Sequence, residues 1–131
     1  MLVEQISAFL ENKPGRFAFI SKVLGENDIN MQAFTVSESA KFGIAHIIVD
    51  NAERAKSVLQ ENNIGVHVSK VICLDISDRP GEMSKILKLL AENNISVEYM
   101  YAYADSKNAH IFLRTDNLEL ADSILSEMSR G

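Results

Sequence analysis

Residues 13–30, KPGRFAFISKVLGENDIN, return as residues 79–96, RPGEMSKILKLLAENNIS. The offset of 66 holds without a gap along the chain, and about 18 of 65 superposed pairs are identical. Roughly one in sixteen would match by chance at average composition. The identities include Ile6/Ile72, Pro14/Pro80, Gly15/Gly81, Ile20/Ile86, Leu24/Leu90, Asn27/Asn93, Ile29/Ile95, Asp50/Asp116, Ala55/Ala121 and Leu59/Leu125. Each copy must then be one supersecondary unit, and the two must share an architecture. The repeat divides the 131 residues into units 1–68 and 69–131. Units of about 65 residues lie at the small end of what folds alone, so mutual packing is expected.

The two copies assign the elements together. Ile6, Ala8 and Leu10 alternate, as do Ile72, Leu74 and Ile76, and period two means a strand. Asn12-Lys13-Pro14-Gly15 and Asp78-Arg79-Pro80-Gly81 follow as turns. Proline is tolerated in a first helical turn, where its missing N–H has no intrahelical partner. Phe17, Ile20, Val23 and Leu24, matched by Met83, Ile86, Leu89 and Leu90, have helical spacing. Asn27 and Asn93 are expected to end these helices in the left-handed conformation. Period two returns from Ile29 and Ile95, with Lys41 and Lys107 in a polar turn before third strands at 44–49 and 110–115. Asp50 and Asp116 are expected to cap the next helices. Residues 64–68 make a short fourth strand in the first copy only, because Gly131 aligns with Gly65. The expected fold is α+β: two ferredoxin-like βαββαβ units in tandem, with antiparallel sheets, helices on one face, and the final strand missing from the second. The first strand of that second unit needs a cover for its unpaired edge.

Composition excludes several functions. No apolar stretch approaches the roughly 20 residues that span a bilayer, and no signal-like segment opens the chain. With 13 basic against 18 acidic residues, the net charge of -5 is wrong for gripping a phosphate backbone. One cysteine, Cys73, gives neither a disulfide framework nor a multi-thiolate metal site. A cytoplasmic protein, with no membrane and no nucleic acid among its partners, is expected.

No catalytic constellation emerges. His46, His67 and His110 lack a helical ligand-pair spacing, and Cys73 sits in an apolar strand with no cation beside it in sequence. No cofactor, metal site or catalytic residue is expected. Tyr99, Tyr101 and Tyr103 share one strand face and suit either packing or a contact surface. The turn that opens each unit offers more. Helix N-terminal N–H groups carry the positive end of the dipole and suit a carboxylate or phosphate. Gly15 and Gly81 would admit close approach to the backbone. Asn12 and Asn30 are expected at the same end of the first unit, as paired amides for a small zwitterion. The residues alone leave open whether these turns hold a ligand or simply reverse the chain.

Duplicated strand, x-Pro-Gly turn, amphipathic helix and an Ile-Asn or Ile-Ser opening to the next strand together resemble tandem ACT domains, over essentially the whole chain. The resemblance implies ferredoxin-like units that assemble through edges and helices and bind amino acids at their interfaces. Carried onto this sequence, it implies a ligand site at Asn12, Lys13, Pro14, Gly15, Arg16, Phe17, Asn30, Met31 and Gln32. A second candidate comprises Asp78, Arg79, Pro80, Gly81, Glu82, Met83 and Ser96. Asp78 in place of Asn12 would repel a ligand carboxylate, so the first copy is preferred. The expected function is a non-enzymatic regulatory sensor of an amino acid, acting as a homodimer or higher homo-oligomer. The alternative is a regulatory subunit of a separate amino-acid-metabolism enzyme, such as the acetolactate synthase small subunit.

Overall fold

The computed structural model describes residues 1–38 and 42–130; the turn expected at Lys41 and the alignment at Gly131 lie outside them. The elements run β1 (Leu2–Glu11), α1 (Arg16–Glu26), β2 (Met31–Glu38), β3 (Phe42–Val49), α2 (Ala52–Glu61), β4 (Val66–Ser77), α3 (Glu82–Glu92), β5 (Val97–Ala104), β6 (Asn108–Thr115) and α4 (Leu118–Arg130). This is the α+β pattern of two βαββαβ units that the repeat implies. The chain forms two compact units, Glu4–Ser69 and Met1–Val3 with Lys70–Gly131. The short strand expected at 64–68 and the one after it are a single strand, β4.

In the first unit the strand order is β2-β3-β1-β4. β3 is antiparallel to both neighbours, pairing Ala8 with Ala45 and Phe34 with Ile47. Alternation sends Ile6, Ala8, Leu10, Ala45, Ile47 and Val49 to one face, where they meet Ile20, Val23 and Leu24 of α1 and Ala55, Val58 and Leu59 of α2. The second unit repeats the arrangement. Ile72, Leu74, Ile111 and Leu113 pack beneath Ile86 and Leu90 of α3 and Ala121 and Leu125 of α4.

The outer edge of β4 in the second unit is occupied. Met1–Val3 lie beside β4, the Cys73 N–H donates to the Met1 carbonyl at 2.7 Å, and Leu2 packs on the second unit's core. The chain's own first residues thus cover the β4 edge for which the repeat pattern asked a partner.

The helices end at Asn27 and Asn93 as expected, but the left-handed residue and the α2 N-cap each stand one position later than expected. Asn27 has φ -106° and Asn93 φ -98°; the left-handed residues are Asp28 and Asn94, with Asn63 after α2. Asn27, Asn62 and Asn93 instead donate their side-chain amides to the carbonyls of Val23, Val58 and Leu89, at 2.8–2.9 Å. These bonds supply side-chain donors to last-turn carbonyls, where the helix runs short of backbone donors. At the N-terminus of α2 the cap is Asn51, whose Oδ1 accepts from the Arg54 N–H at 3.1 Å, and not Asp50. Asp116 Oδ1 accepts from Ser96 and Asn117, while Asn117 Oδ1 accepts from Leu120 in the first turn of α4.

Candidate functional site

The β1–α1 turn is tight: the Lys13 N–H donates to the Glu11 carbonyl at 2.7 Å, and Phe19 donates to Gly15 at 2.9 Å as the helix begins. Gly15 occupies the N-cap position in the left-handed conformation, φ +86°, and makes no side-chain cap. A Cβ built there would meet nothing within 4 Å. Glycine is therefore required by backbone conformation, not by close approach as the sequence suggested. Gly81, φ +89°, is the same case in the second unit.

Two cavities flank this turn. One, about 490 Å³, runs from Glu11, Asn12, Lys13 and Arg16 to Asn63 and Gly65 of the α2–β4 turn, with Phe9 and Phe42 in its wall. The other, about 280 Å³, lies along Lys13–Ala18 and reaches Val36. Lys13 pairs with Glu11 at 3.2 Å, and the Lys13 hydrogen bond and the Lys13 and Arg16 charges hold the Glu11 carboxyl below the ordinary range. The Arg16 guanidinium lies over the Phe19 ring, 5.4 Å from its centroid. Both signs of charge thus stand beside an exposed apolar wall at the N-terminus of an 11-residue helix.

The expected residues do not all meet. Asn12, Lys13, Pro14, Gly15, Arg16 and Phe17 gather at the turn, whereas Asn30, Met31 and Gln32 lie where β2 begins. Glu11 is opposite Phe42 at one end of β3, and Met31 is opposite Val49 at the other. Seven residue steps at about 3.4 Å place the two groups roughly 24 Å apart. The expectation that Asn12 and Asn30 share an end fails because β1 and β2 run parallel, so the end of one is remote from the start of the other. Phe9, Phe42, Asn63 and Gly65 were not anticipated. Phe9 gave a signal, since it is a large apolar residue out of phase with Ile6, Ala8 and Leu10.

The corresponding turn of the second unit differs in charge. Glu82 stands where the first unit has Arg16, pairing with Lys85 at 3.2 Å and Arg79 at 3.7 Å. The Ser96 N–H donates to Asp116 at 3.1 Å. Asp78 donates its backbone N–H to the Lys107 carbonyl, and Met83 packs on the core. Asp75 and Asn108 occupy the repeat positions of Phe9 and Phe42. His110 bridges Asp75 through Nδ1 at 2.5 Å and Asp105 through Nε2 at 2.9 Å, with the Tyr103 ring stacked 4.6 Å away. Tyr101 stacks on Phe112, so much of the tyrosine stripe is engaged in cross-strand packing. Burial pushes both the Tyr101 hydroxyl and the Cys73 thiol upward, which suits an unreactive thiol.

Hydrogen bonds to Asp105 and Asp75 raise the His110 pKa. Burial, and then the charge of His67, lowers that of His46, which hydrogen-bonds Ser7 at 2.9 Å. His110 binds its proton more tightly folded than unfolded, so its stabilisation is present below the ordinary value of about 6.5 and lost as pH rises through the folded pKa. His46 has the opposite sign, losing its contribution as pH falls below that value. An NMR titration of the ring protons should therefore give a midpoint above about 6.5 for His110 and below it for His46. Coincident midpoints would contradict the geometry. Among the described residues no cluster of three or more His, Cys, Asp or Glu is arranged to hold a metal, and no helix is long and apolar enough to cross a membrane.

Residues 1–129 match the family described as an ACT domain pair. Protein BT0572 from Bacteroides thetaiotaomicron, a crystal structure, is 32% identical, superposes with a TM-score of 0.93, and is matched over 98% of this chain and 90% of that one. The regulatory subunit of aspartate kinase from Thermus thermophilus, ligand-free, is 15% identical with a TM-score of 0.67, over 97% and 96% of the two chains. That of Thermus flavus is 16% identical with a TM-score of 0.63, over 97% and 94%. At that identity the two kinase subunits share the fold. No curated protein sequence matches the chain.

Proposed function

Because the chain belongs to the ACT domain pair family, we propose that it is a non-enzymatic regulatory protein that binds an amino acid at the β1–α1 turn of its first unit. One observation carries this reading: the cavity of about 490 Å³ that joins Asn12, Lys13 and Arg16 to Glu11 at an uncapped helix start. The cations and the positive end of α1 suit a carboxylate, and Glu11 suits an ammonium group. The second unit, with Asp78 and Glu82 at the matching positions, is the poorer carboxylate site.

Asn30, Met31 and Gln32 reach such a ligand only from another unit, since their own lies at the wrong end of β2. If Asn30 contributes, the ligand bridges two units, and a homodimer with one unit's turn against another's β2 supplies that arrangement. Binding then signals by favouring one assembly over another, which requires ligand contacts that differ between the two. The exposed Tyr103 ring, 45% accessible at the sheet's outer strand β5, favours a second reading. In it the chain is a subunit that docks on a cytoplasmic metabolic enzyme.

Isothermal titration against the twenty amino acids tests the first reading. At least one should bind, and Arg16→Ala should weaken it about tenfold or more, the cost of a charge-assisted hydrogen bond. Heat from none of the twenty, with no shift in thermal melts, would sink it. Stoichiometric recovery of an enzyme without ligand dependence would favour the second.

A further inference from the structure

We propose that the cavity of the first unit selects an amino acid with a large apolar side chain, aromatic or branched, seated against Phe9 and Phe42. The inference rests on the amino-acid reading above and narrows it. Phe9 is 52% exposed and Phe42 45%. Their rings, 6.0 Å between centroids and tilted by 54°, form an open angle in the cavity wall. Water-facing aromatic area of this size gains most from a second apolar surface.

The wall is held by two paired strands. Phe9 sits within β1 opposite Ile44, and Phe42 begins β3 opposite Glu11. Both project from the face opposite Ile6, Ala8 and Leu10, so the helix-covered core makes no demand for them. Gly65 closes one side: a Cβ there would stand 3.5 Å from the Phe9 ring. The charged groups Glu11, Lys13 and Arg16 lie along the same cavity. A zwitterionic head placed among them points its side chain along the rings.

The second unit shows that the fold does not require this wall. The same repeat positions carry Asp75 and Asn108, and Asp75 is held by His110. Where one unit presents two rings, its duplicate presents a carboxylate tied to an imidazole. The aromatic pair is thus a property of one site and not of the architecture.

The test is titration calorimetry of the full chain with L-phenylalanine, L-leucine, glycine, L-aspartate and L-lysine, followed by the same series on Phe42→Ser and, separately, Phe9→Ser. L-Phenylalanine or L-leucine should bind at least about tenfold tighter than glycine or L-aspartate, in keeping with apolar-pocket discrimination. In either variant the preference should fall to within about threefold. Circular-dichroism melts identify a variant that fails to fold, and the other then decides. Glycine, aspartate or lysine binding as tightly as phenylalanine and leucine overturns this inference and leaves the amino-acid reading intact. Binding of none of the twenty amino acids overturns both. If both variants keep the preference but dissociate an oligomer, the rings are a self-association surface and the inference fails.

Discussion

A chain that begins at Glu4 should be less stable by about 2–4 kcal/mol, and the loss should fall on residues from Lys70 onward. Met1–Val3 belong to the second compact unit, supplying the backbone partner of Cys73 and a side chain, Leu2, on the core of Ile72, Leu113 and Leu125. Full burial of one Leu contributes about 1.5–3 kcal/mol, of which the partly buried Leu2 gains a share, and a net backbone hydrogen bond contributes about 1 kcal/mol. Removing the segment also leaves β4 with free N–H and C=O groups, a template for pairing with another chain. Hydrogen exchange provides the readout: the Cys73 amide should lose protection, while Ala45 and Ile47 should retain theirs. Unchanged protection at Cys73 would show that the segment is dispensable.

Leu24→Ala and Leu90→Ala should each cost about 2–5 kcal/mol, by lost transfer energy and by the cavity left behind. The two residues are repeat equivalents, 0% and 1% exposed. Each carbonyl also accepts the bonds that end its helix, from Asn27 and Ile29 in one unit and from Asn93 and Ile95 in the other. Equal burial and equal local geometry predict equal costs, to within about 1 kcal/mol. Urea midpoints check this. A Leu90→Ala variant as stable as the parent chain would mean that the second core is loosely packed or collapses around the gap.

Particular residues show what was readable in advance. Gly15 and Gly81, each behind a proline, marked the strand-to-helix turns, because few other residues tolerate a positive φ. Alternation at Ile6-Ala8-Leu10 and Ile72-Leu74-Ile76 marked the buried faces, because a side chain's face is a local property of an extended backbone. The N-cap of α2 is Asn51 and not the neighbouring Asp50, and Asn27 ends α1 as expected while the left-handed residue is Asp28. Neighbouring Asp and Asn side chains have similar chemistry, and a bond geometry a few ångströms across decides between them.

The candidate site was half legible. Asn12, Lys13 and Arg16 fall within five consecutive residues and belong to one turn wherever the chain goes. Asn30 is 18 residues on, and the crossover of the expected βαββαβ unit already makes β1 and β2 parallel, which puts the end of one and the start of the other at opposite ends. Asn63 and Gly65 join the cavity because β4 begins beside the end of β1.

The sequence by itself determined the duplicated unit, its alternation of strands and helices, the two glycine turns, and the change of charge between the two turns. Each follows from period, residue type or backbone sterics over a few consecutive positions. Only the tertiary structure decided that Met1–Val3 serve the second unit and that Phe9 and Phe42 wall a charged cavity. Those are meetings between segments distant along the chain. They depend on strand register and direction, which the solvent-driven packing of whole faces selects and no local pattern encodes.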